Sequence, residues 1–511
     1  MCARERGWST VDEPVKRPSV NPLYKLSRRT LGAAVIRLKG LNDRQFTAVS
    51  AGLGLALAAG AVLAAGPWDS GQRKAEIDWA AARNRTGGAH HEPAAPSGPA
   101  PAPSAPAVLA ALSAAVDNAA PDARTTPNGA AAALRAALGP LLKDSALGDR
   151  RAAVVIDTAT GERLYGQGAG TPMTPASTVK IATAVAALGA LGPDHRIATE
   201  VRASADLRSI TLVGGGDPTL DKAALRRLAT DTARSLKDRG VGKARLTYDT
   251  SRYSGPARHP IGPNENIAPV SALMTDEGRL DNSASGPAPR SDDPAGDTAR
   301  TFAKLLHDAG IDTAAKPKPG RPAAGSRKVA EHRSVPLSAL VERALTNSDN
   351  DIAEALARQT ALAAGEPADF AGGRRAVTAQ LKKLGLPLKG ADLADGSGLN
   401  RKDKVTAGLL AGLLARAADP DHPELRPVLT GLPVAGFSGT LSDRFTGKSA
   451  GTGLIRAKTG TLTGVNTLAG TVVDRQGRLL AFAFLASGTT SPSEAQSALD
   501  ALATALSTVP R

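Results

Sequence analysis

The distribution of predicted β-strands constrains the fold of this chain most strongly, since strands cluster at both ends of its globular part. At the N-terminal end, apolar stretches around a turn predict a hairpin over residues 152–157 and 163–166. At the C-terminal end, three more strands are predicted over residues 453–457, 467–473 and 479–486. Strands from both chain ends share one core most simply in a single antiparallel sheet. The sequence therefore predicts an α+β fold closed by both ends of the chain.

Helical patterns flank this sheet and fill the middle of the chain. The first and last helices are predicted over residues 129–143 and 492–506, and an Ala-, Val- and Ile-rich helix over residues 176–191. A helical subdomain is predicted from four further helices, over residues 336–346, 350–364, 373–384 and 404–417. The expected architecture is an antiparallel sheet flanked by helices, with this helical subdomain beside it.

Residues 192–333 differ in pattern from both flanks. Gly/Pro-rich joints separate short predicted elements, namely strands over 197–203, 209–213 and 244–247 and helices over 223–238 and 297–309. This block is predicted to be an inserted subdomain. Residues 128–191 and 334–511 would then form the main domain together.

The segments before residue 128 are predicted to stand outside the globular part. Residues 1–45 hold ten Lys or Arg against four acidic residues, and residues 46–66 form 21 consecutive residues without a charge. About 20 apolar residues cross a bilayer as a helix, and a basic flank stays in the cytoplasm. Residues 67–127 are rich in Ala and Pro and predict a disordered linker. We expect a cytoplasmic tail, a single transmembrane anchor and an extracytoplasmic globular part.

A cleaved signal peptide is the alternative interpretation of residues 46–66, because small residues end the apolar run at Ala64, Ala65 and Gly66. The run is longer than a usual signal-peptide core, and no clear A-x-A cleavage site follows it. A retained anchor in the cell membrane is therefore favoured over secretion.

The formal net charge of +15 raises the question of a nucleic-acid partner. Aromatic residues make up only 3% of the chain, and no stretch interleaves them with Arg as a base-stacking surface would. Nucleic acid is therefore not expected as a partner, whereas a basic surface suits an anionic cell wall or membrane face. Cys2 is the only cysteine in the sequence, which excludes a disulfide framework and a thiolate metal site.

Three short motifs occur in a fixed order: Ser177-Thr178-Val179-Lys180, Ser348-Asp349-Asn350 and Lys458-Thr459-Gly460. Ser177 is the only serine with a lysine three residues later, and Lys458 is the only lysine followed by Thr-Gly. The three motifs begin 171 and 110 residues apart. Each motif alone has a simpler structural explanation. The prediction of an enzymatic function therefore depends on all three motifs occurring in this order.

Ser177 is the candidate nucleophile. A helix beginning here would place residues i and i+3 on one face, so that Lys180 lies beside the Ser177 hydroxyl. Serine needs an adjacent base, and a desolvated lysine can act as one when its pKa falls enough to populate the free amine. The simpler alternative is that Ser177 caps the helix and Lys180 points into solvent.

The other two motifs supply candidate groups for proton transfer and substrate binding. Ser348 could relay a proton and Asn350 could orient the lysine or a substrate amide, although helix capping is the alternative. Lys458, with the hydroxyls of Thr459 and Thr461, could hold a terminal carboxylate while strand amides bind an extended peptide. The alternative for this motif is an exposed β-turn.

Together the motifs resemble the S-x-x-K, S-x-N and K-T-G signature of the serine penicillin-recognising enzymes. The long first interval is similar to that of the class C low-molecular-mass penicillin-binding proteins, the D-alanyl-D-alanine carboxypeptidase/endopeptidase family. Residues 213–220, 268–273 and 395–399 also resemble that family. The resemblance implies a penicillin-binding, serine β-lactamase-like fold over about residues 129–508, with an insertion shorter than is usual in the family.

The same resemblance implies a serine-type D-Ala-D-Ala carboxypeptidase, with DD-endopeptidase activity left open, that acts on peptidoglycan stem peptides. It implies an acyl-enzyme on Ser177, with Lys180 as the base, Ser348 as the donor to the leaving D-alanine and Asn350 as a positioning group. It also implies that β-lactam antibiotics such as penicillin acylate Ser177.

Substrate binding is assigned by this resemblance to the third motif and the residue after it. Lys458, Thr459, Gly460 and Thr461 would contact the peptide, and the backbone amides of Ser177 and Thr461 would form the oxyanion hole. No cofactor or metal is expected, because the globular part contains no H-E-x-x-H motif or paired histidines. The glycines at 214–216 and 447 lack the context of a Walker loop and are predicted turns.

Two other function classes remain as alternatives. A β-lactamase would share the acylation step but needs a second base for fast deacylation, and neither Glu354 nor Glu366 lies in an E-x-x-L-N context. A wall-binding or scaffolding protein with an inactive penicillin-binding fold would not need the candidate catalytic residues, all of which are present.

Overall fold

The computed structural model describes residues 127–509. Within this range the strands are β1 (Arg150–Asp157), β2 (Arg163–Gln167), β3 (Ala198–Ala203), β4 (Ser209–Val213), β5 (Arg245–Asp249), β6 (Lys318–Pro319), β7 (Arg327–Arg333), β8 (Ile455–Leu462), β9 (Val465–Val473) and β10 (Leu479–Ser487). The α-helices are α1 (Pro127–Leu141), α2 (Lys180–Leu191), α3 (Lys222–Lys237), α4 (Pro294–Asp308), α5 (Leu337–Thr346), α6 (Asn350–Ala363), α7 (Phe370–Lys383), α8 (Ala407–Ala418), α9 (Arg426–Thr430) and α10 (Pro492–Thr508).

The main sheet joins the two ends of the globular part. Its strand order is β2-β1-β10-β9-β8, and every neighbouring pair is antiparallel. β1 pairs along its whole length with β10, from Arg150 opposite Ser487 to Asp157 opposite Leu480. The predicted α+β fold, with one antiparallel sheet closed by both chain ends, is confirmed.

Both faces of this sheet are covered, which explains the long apolar runs of its central strands β1 and β10. In β1, Ala152 and Val154 belong to one buried cluster, whereas Ala153 and Val155 belong to the cluster on the opposite face. Successive side chains of a strand point to opposite faces, so a strand buried on both sides needs apolar residues at every position. The continuous Ala152–Asp157 and Leu479–Ala486 runs have this origin.

Helices from different parts of the chain form the two covering layers. α1 and α10 pack against each other, and α10 contacts β9 on one side of the sheet. α8 packs on β1 and β10 on the other side, where α2 joins the same core. α2 is buried from Lys180 to Leu188, so this helix fixes its first residue, Lys180, deep inside the protein.

A second sheet lies between the first and second sequence motifs. Its order is β6-β5-β4-β3-β7, with antiparallel pairing of β3 to β4 and β7 and parallel pairing of β5 to β4 and β6. All five strands fall between Ala198 and Arg333, inside the predicted insertion. β6 and β7 were not predicted, because their Lys-, Arg- and Pro-rich sequences lack an apolar pattern.

The glycines after β4 allow close packing of this second sheet. A Cβ at residue 215 would lie 2.8 Å from the carbonyl carbon of Ala198, at the start of β3. Gly216 has a φ of 101°, a conformation that favours glycine. Backbone contact thus accounts for this glycine run without a phosphate ligand.

The strand predicted at residues 453–457 was placed wrongly. The observed strand β8 runs from Ile455 to Leu462, so the third motif lies inside the strand rather than after it. Polar residues interrupt the apolar pattern here because β8 is an edge strand of the sheet. The β-turn alternative for this motif is therefore wrong.

The predicted tail at 1–45, the anchor at 46–66 and all but the last residue of the predicted linker at 67–127 lie outside the described residues. Among residues 127–509, no helix is both long and apolar enough to cross a bilayer.

Candidate active site

Ser177 lies in a short turn that leads into the buried helix α2. Residues Ala176–Val179 form a 3₁₀ turn, and α2 begins at Lys180 with Val179 at its N-cap position. The predicted start of an α-helix at residue 176 was therefore one turn early. Ala176 has a φ of 47°, which non-glycine residues rarely adopt and which costs free energy unless the surroundings enforce it. The strained turn places Ser177 before α2 and not at its cap.

The ammonium group of Lys180 occupies the centre of the site. Its side chain is only 1% exposed, and its Nζ lies 3.0 Å from the Oγ of Ser177. The same nitrogen lies 2.7 Å from Oδ1 of Asn350 and 2.6 Å from the carbonyl oxygen of Ser397. The solvated-lysine alternative is therefore wrong, since this side chain has three partners and almost no solvent.

These three partners determine what a neutral Lys180 amine would do. The oxygens of Asn350 and Ser397 can only accept hydrogen bonds, so they occupy the two N–H bonds of the amine. The lone pair then remains for the hydroxyl proton of Ser177, 3.0 Å away between heavy atoms. The geometry thus directs the basic electron pair toward the candidate nucleophile.

Burial lowers the pKa of Lys180 to about 8, although the Asp395, Asp349, Glu354 and Asp403 carboxyls raise it in opposition. A buried ammonium loses its hydration, which favours the neutral amine. At a pKa of about 8 a useful fraction of the amine is free near neutral pH.

Asn350 is the first residue of α6, and both ends of its amide have partners. Asp349 caps this helix by accepting the N–H of Ile352. The Nδ2 of Asn350 donates to the carbonyl oxygen of Asn266 at 3.0 Å, which leaves Oδ1 for Lys180. Asn350 therefore links Lys180, the candidate base, to a loop between β5 and α4.

Ser348 lies at the junction of α5 and α6 with a φ of 58°. It is half buried, and its side chain makes no hydrogen bond to another residue of the range 127–509. The capping alternative for this motif is thus realised by Asp349, which leaves the Ser348 hydroxyl available.

The third motif faces the nucleophile turn from β8. Gly460 is required there, because a Cβ at this position would overlap Oγ1 of Thr467 and lie 2.6 Å from the carbonyl oxygen of Pro175. Thr467, on β9, donates to that same carbonyl at 2.8 Å. β8 and β9 thus pack directly against the turn that carries Ser177.

Gly398 approaches the turn closely as well. It has a φ of 85°, and a Cβ there would lie 3.0 Å from the backbone nitrogen of Ser177 and overlap the carbonyl of Ala176. A Cβ at Gly460 would lie 3.1 Å from the same nitrogen. Gly398 and Gly460 therefore enclose the backbone of Ser177, a contact that the sequence did not predict for either glycine.

Lys458 is completely buried, and its Nζ donates to the carbonyl oxygen of Thr459 at 2.8 Å. Burial, and then the positive charge of Lys180, lower its pKa well below the usual range. Thr459 donates through its hydroxyl to Thr440, and the exposed Thr461 accepts a long bond from Gln496. A second lysine thus lies close enough to Lys180 for their charges to repel.

Sequence reasoning assigned no role to the buried carboxylate of Asp395. This carboxylate binds Ser397, whose carbonyl oxygen accepts a hydrogen bond from Lys180. It accepts hydrogen bonds from the backbone N–H groups of Ser397, Gly398 and Asn400 and from the Ser397 hydroxyl, at 2.6–3.2 Å. Burial raises the pKa of Asp395, but hydrogen bonds with His259, Asp403 and the Gly398 N–H together lower it to about 2. The ionised carboxylate thus holds in place the Ser397 carbonyl that accepts from Lys180.

His259 reaches this carboxylate from the region between β5 and α4. Its Nε2 lies 2.8 Å from Oδ2 of Asp395, and its Nδ1 accepts the backbone N–H of Ile261 at 3.1 Å. With Nδ1 as an acceptor, the proton is on Nε2 and is donated to Asp395. Both side chains are at most 1% exposed.

Two buried groups in residues 127–509 contain side chains of the metal-ligating kind: His259, Glu354 and Asp395, and Glu277, Asp349 and Asp351. In the first group Glu354 accepts the N–H groups of Gly396 and Ser397 while His259 donates to Asp395. In the second group the carboxylates pair with Arg279, Arg290 and Arg343. Each side chain of both groups thus has a hydrogen bond or an ion pair within residues 127–509, while Oδ2 of Asp349 and Oδ2 of Asp351 have no hydrogen-bond partner in that range.

Comparison with known proteins agrees with this geometry. The sequence model of the D-Ala-D-Ala carboxypeptidase 3 (S13) family matches residues 134–289 and 287–509, which is well over half of the chain. The chain belongs to this family. Its members are serine D-Ala-D-Ala carboxypeptidases, so the enzyme class expected from the three motifs is confirmed.

Curated members of the carboxypeptidase family are similar over most of their length. A carboxypeptidase of Mycobacterium tuberculosis is 38% identical over 427 residues, covering 80% of this chain and 89% of the relative. Carboxypeptidase DacB of Mycolicibacterium smegmatis is 38% identical, with 81% and 90% covered. A D-alanyl-D-alanine carboxypeptidase of Actinomadura sp. is 30% identical, with 70% and 82% covered.

A solved structure shows the same fold. Penicillin-binding protein 4 of Haemophilus influenzae superposes with a TM-score of 0.59 at 23% identity, covering 70% of this carboxypeptidase chain and 95% of the neighbour. The predicted penicillin-binding, β-lactamase-like fold is thereby confirmed.

Some of the predicted site residues of this carboxypeptidase contact one another in the structure, and others do not. Lys180 contacts both Ser177 and Asn350, and Lys458 and Gly460 lie on the neighbouring strand β8. The catalytic roles of all eight predicted residues stay predictions. Sequence reasoning missed His259, Glu354 and Asp403, although Asp403 accepts the backbone N–H of Asp395 at 3.2 Å. The His259 contact could not be predicted, because 136 residues separate His259 from Asp395 and no spacing signals it.

The carboxypeptidase should depend on His259 although it does not touch Ser177. Replacing His259 by Leu leaves the buried Asp395 carboxylate without its side-chain donor from that position, which should cost about 1–3 kcal/mol of stability. We expect acylation by a fluorescent penicillin to slow about 10-fold or more, since the Ser397 carbonyl is less firmly placed. His259→Gln, which retains a donor, should recover part of the rate. Equal rates for both variants and the wild type would contradict this role.

Proposed function

We propose that this carboxypeptidase removes the terminal D-alanine of peptidoglycan stem peptides through an acyl-enzyme on Ser177. The Ser177 Oγ attacks the carbonyl of the D-Ala-D-Ala peptide bond while its proton passes to Lys180. The peptide C–N bond then breaks, D-alanine leaves with a proton, and water hydrolyses the ester on Ser177. The observation that carries this proposal is the 3.0 Å contact of Ser177 with a buried lysine whose other two partners are carbonyl acceptors.

Ser348 is proposed to return the proton to the leaving D-alanine, and Asn350 to position Lys180. The support for Ser348 is its available, half-buried hydroxyl two residues from Asn350. The oxyanion hole is assigned to the backbone amides of Ser177 and Thr461. The support is that β8, which carries Thr461, passes close to the backbone of Ser177: a Cβ on the preceding residue, Gly460, would lie 3.1 Å from the Ser177 nitrogen. Each such donor typically contributes about 2.7–4 kcal/mol to transition-state stabilisation.

The terminal carboxylate of the substrate is assigned to Lys458 with Thr459 and Thr461. Burial and the nearby Lys180 disfavour the ammonium form of Lys458 in the free enzyme. A carboxylate beside it would favour the ammonium form again, because an opposite charge raises a lysine pKa. Substrates that lack a free terminal carboxylate should therefore bind less well.

The rate of acylation should increase with pH. Because burial lowers the pKa of Lys180 to about 8, its neutral fraction grows about tenfold per pH unit below that value and levels off above it. The second-order rate constant for a fluorescent penicillin, measured by stopped flow between pH 5.5 and 9.5, should follow this curve. A flat profile would exclude a neutral Lys180 base.

Mass spectrometry of a defined pentapeptide muropeptide tests the reaction itself. Incubation with the enzyme should remove one D-alanine, and penicillin should block the loss. The same experiment with a crosslinked dimer separates the carboxypeptidase from an additional endopeptidase activity. If neither substrate changes, the proposed function is wrong.

A β-lactamase is the second candidate, and the position of Glu354 disfavours it. Glu354 is 2% exposed and its Oε1 accepts two backbone N–H groups, those of Gly396 and Ser397. Glu366 is occupied by Arg375 in a two-contact ion pair. Neither carboxylate is free to activate a deacylating water, so the acyl-enzyme formed with penicillin should persist. A crystal of the Haemophilus influenzae protein is described as a complex with a β-lactam.

For the cellular location, we infer a single-pass membrane protein with its catalytic domain outside the cytoplasm. The support is the uncharged run at 46–66 behind a basic segment. Resistance of the full-length protein to alkaline extraction from membranes would favour a retained anchor over a cleaved signal peptide.

A further inference from the structure

A basic cavity lies on the second sheet, in a part of the molecule that the proposed reaction does not use. Its volume is about 1130 Å³, and it lies between the starts of β4 and β5 and one face of α4. Five Lys or Arg side chains line it against a single acidic residue, Asp312.

The backbone explains why three of these cations meet. The N–H of Arg245 donates to the carbonyl oxygen of Arg208 at 2.8 Å, which sets the two arginines side by side at the starts of parallel strands. The next segment joins through the N–H of Ala244, which donates to the carbonyl oxygen of Asp312 at 3.0 Å. Lys243 precedes Ala244 and also lines the cavity.

The opposite wall comes from α4. Arg300, Lys304 and His307 are spaced by four and three residues, which places them on one helix face. The buried Ala244 and Ala303 form part of the lining between the two walls. Small side chains there leave room for an extended ligand.

Most of the positive charge has no internal partner. Arg300 pairs with Asp293 and Asp297, and His307 lies 3.3 Å from Asp312. Arg208, Lys243, Arg245 and Lys304 form no ion pair with any carboxylate of residues 127–509. Thr313 also lines the cavity, and its buried hydroxyl has no hydrogen-bond partner within that range. Like charges around one cavity repel each other, so an anionic ligand would remove an unfavourable interaction.

The lining also indicates which anion fits. Arginine binds phosphate through paired N–H groups, and lysine and threonine add single donors. The volume exceeds that of a typical pocket for one small molecule, which favours several linked anionic groups. No Phe, Tyr or Trp lines the cavity, so it offers no surface on which nucleic-acid bases would stack.

We propose that this basic cavity binds a linear polyol phosphodiester polymer, with successive phosphates contacted from the strand wall and the helix wall. Binding of such a polymer would hold the peptidase near a phosphate-rich surface without involving Ser177. The proposal does not depend on the reaction catalysed.

Binding of poly(glycerol phosphate) to the full chain, measured by biolayer interferometry over a range of salt concentrations, tests the proposal. The double variant Lys243→Glu and Lys304→Glu should bind at least about tenfold more weakly and with a smaller salt dependence. The matched control, Lys382→Glu with Lys383→Glu, makes the same charge change at exposed positions of α7 outside the cavity. It should keep wild-type affinity, and both variants should be acylated by penicillin at the wild-type rate.

Several results would overturn the proposal. These are no measurable binding by the wild type, an equal loss in the Lys382/Lys383 control, or equal affinity for poly-glutamate or single-stranded DNA of similar charge. An equal loss in the control would assign the binding to net charge alone. Equal affinity for the other polyanions would remove the phosphodiester specificity.

Discussion

Replacing Ser177 by Ala should abolish covalent labelling by penicillin and lower D-alanine release by roughly 10⁴- to 10⁶-fold. Loss of the nucleophile in a serine hydrolase removes the acyl-enzyme route, and only binding and oxyanion stabilisation remain. Intact-protein mass spectrometry should show the penicillin adduct on the wild type and none on the variant.

The fold should survive this change, because the hydroxyl of Ser177 contributes one hydrogen bond to Lys180 and does not cap α2. The melting temperature of Ser177→Ala should therefore stay close to that of the wild type. Ser285→Ala, at an exposed position, is the matched control and should label normally. A penicillin adduct on Ser177→Ala, or unchanged D-alanine release by this variant, would show that another residue is the nucleophile. If the wild type were not labelled, a non-catalytic, wall-binding role would be favoured.

Replacing Lys180 by Met should lower the acylation rate by roughly 10²- to 10⁴-fold, the usual contribution of a general base. Methionine fills a similar volume but cannot accept the Ser177 proton. The carbonyl oxygen of Ser397 and the Oδ1 of Asn350 would also lose their donor. Stopped-flow acylation by a fluorescent penicillin measures the rate, and the remaining activity should lose its rise with pH.

Two comparisons make the Lys180 result specific. Lys389→Met, at an exposed position, should leave the rate unchanged. Circular dichroism should show that Lys180→Met is folded, because removing a buried amine also removes its desolvation cost. If the folded variant still acylated at near the wild-type rate with the same pH dependence, Lys180 would not be the base.

Residues 259–268, between β5 and α4, hold several residues of the site in place. Asn266 holds the amide of Asn350, the N–H of Ala268 donates to Asp351 at 2.9 Å, and His259 holds Asp395. Each contact joins residues 259–268 to an element that touches Lys180. Changes in this region should therefore alter the peptidase reaction although none of its residues belongs to the three motifs.

The main features of the fold could be predicted from the amino-acid sequence. Apolar runs at both ends of the globular part predicted the antiparallel sheet, because its central strands are buried on both faces. The three motifs predicted Ser177, Lys180 and Asn350, whose contacts the structure contains. Local pattern was sufficient for Ser177 and Lys180 because a single turn, here the 3₁₀ turn before α2, brings residues i and i+3 together, and the unusual motif order identified Asn350.

The lowered pKa of Lys180, the candidate base, could not be predicted from the sequence. The pKa of Lys180 depends on complete burial and on Asp395, Asp349, Glu354 and Asp403, which come from different parts of the chain. The glycines that enclose Ser177, Gly398 and Gly460, lie 62 residues apart in the sequence and meet only in space. Long-range contacts leave no local periodicity in a sequence, so the motif identified Gly460 as a site residue but did not indicate that it lies against Ser177.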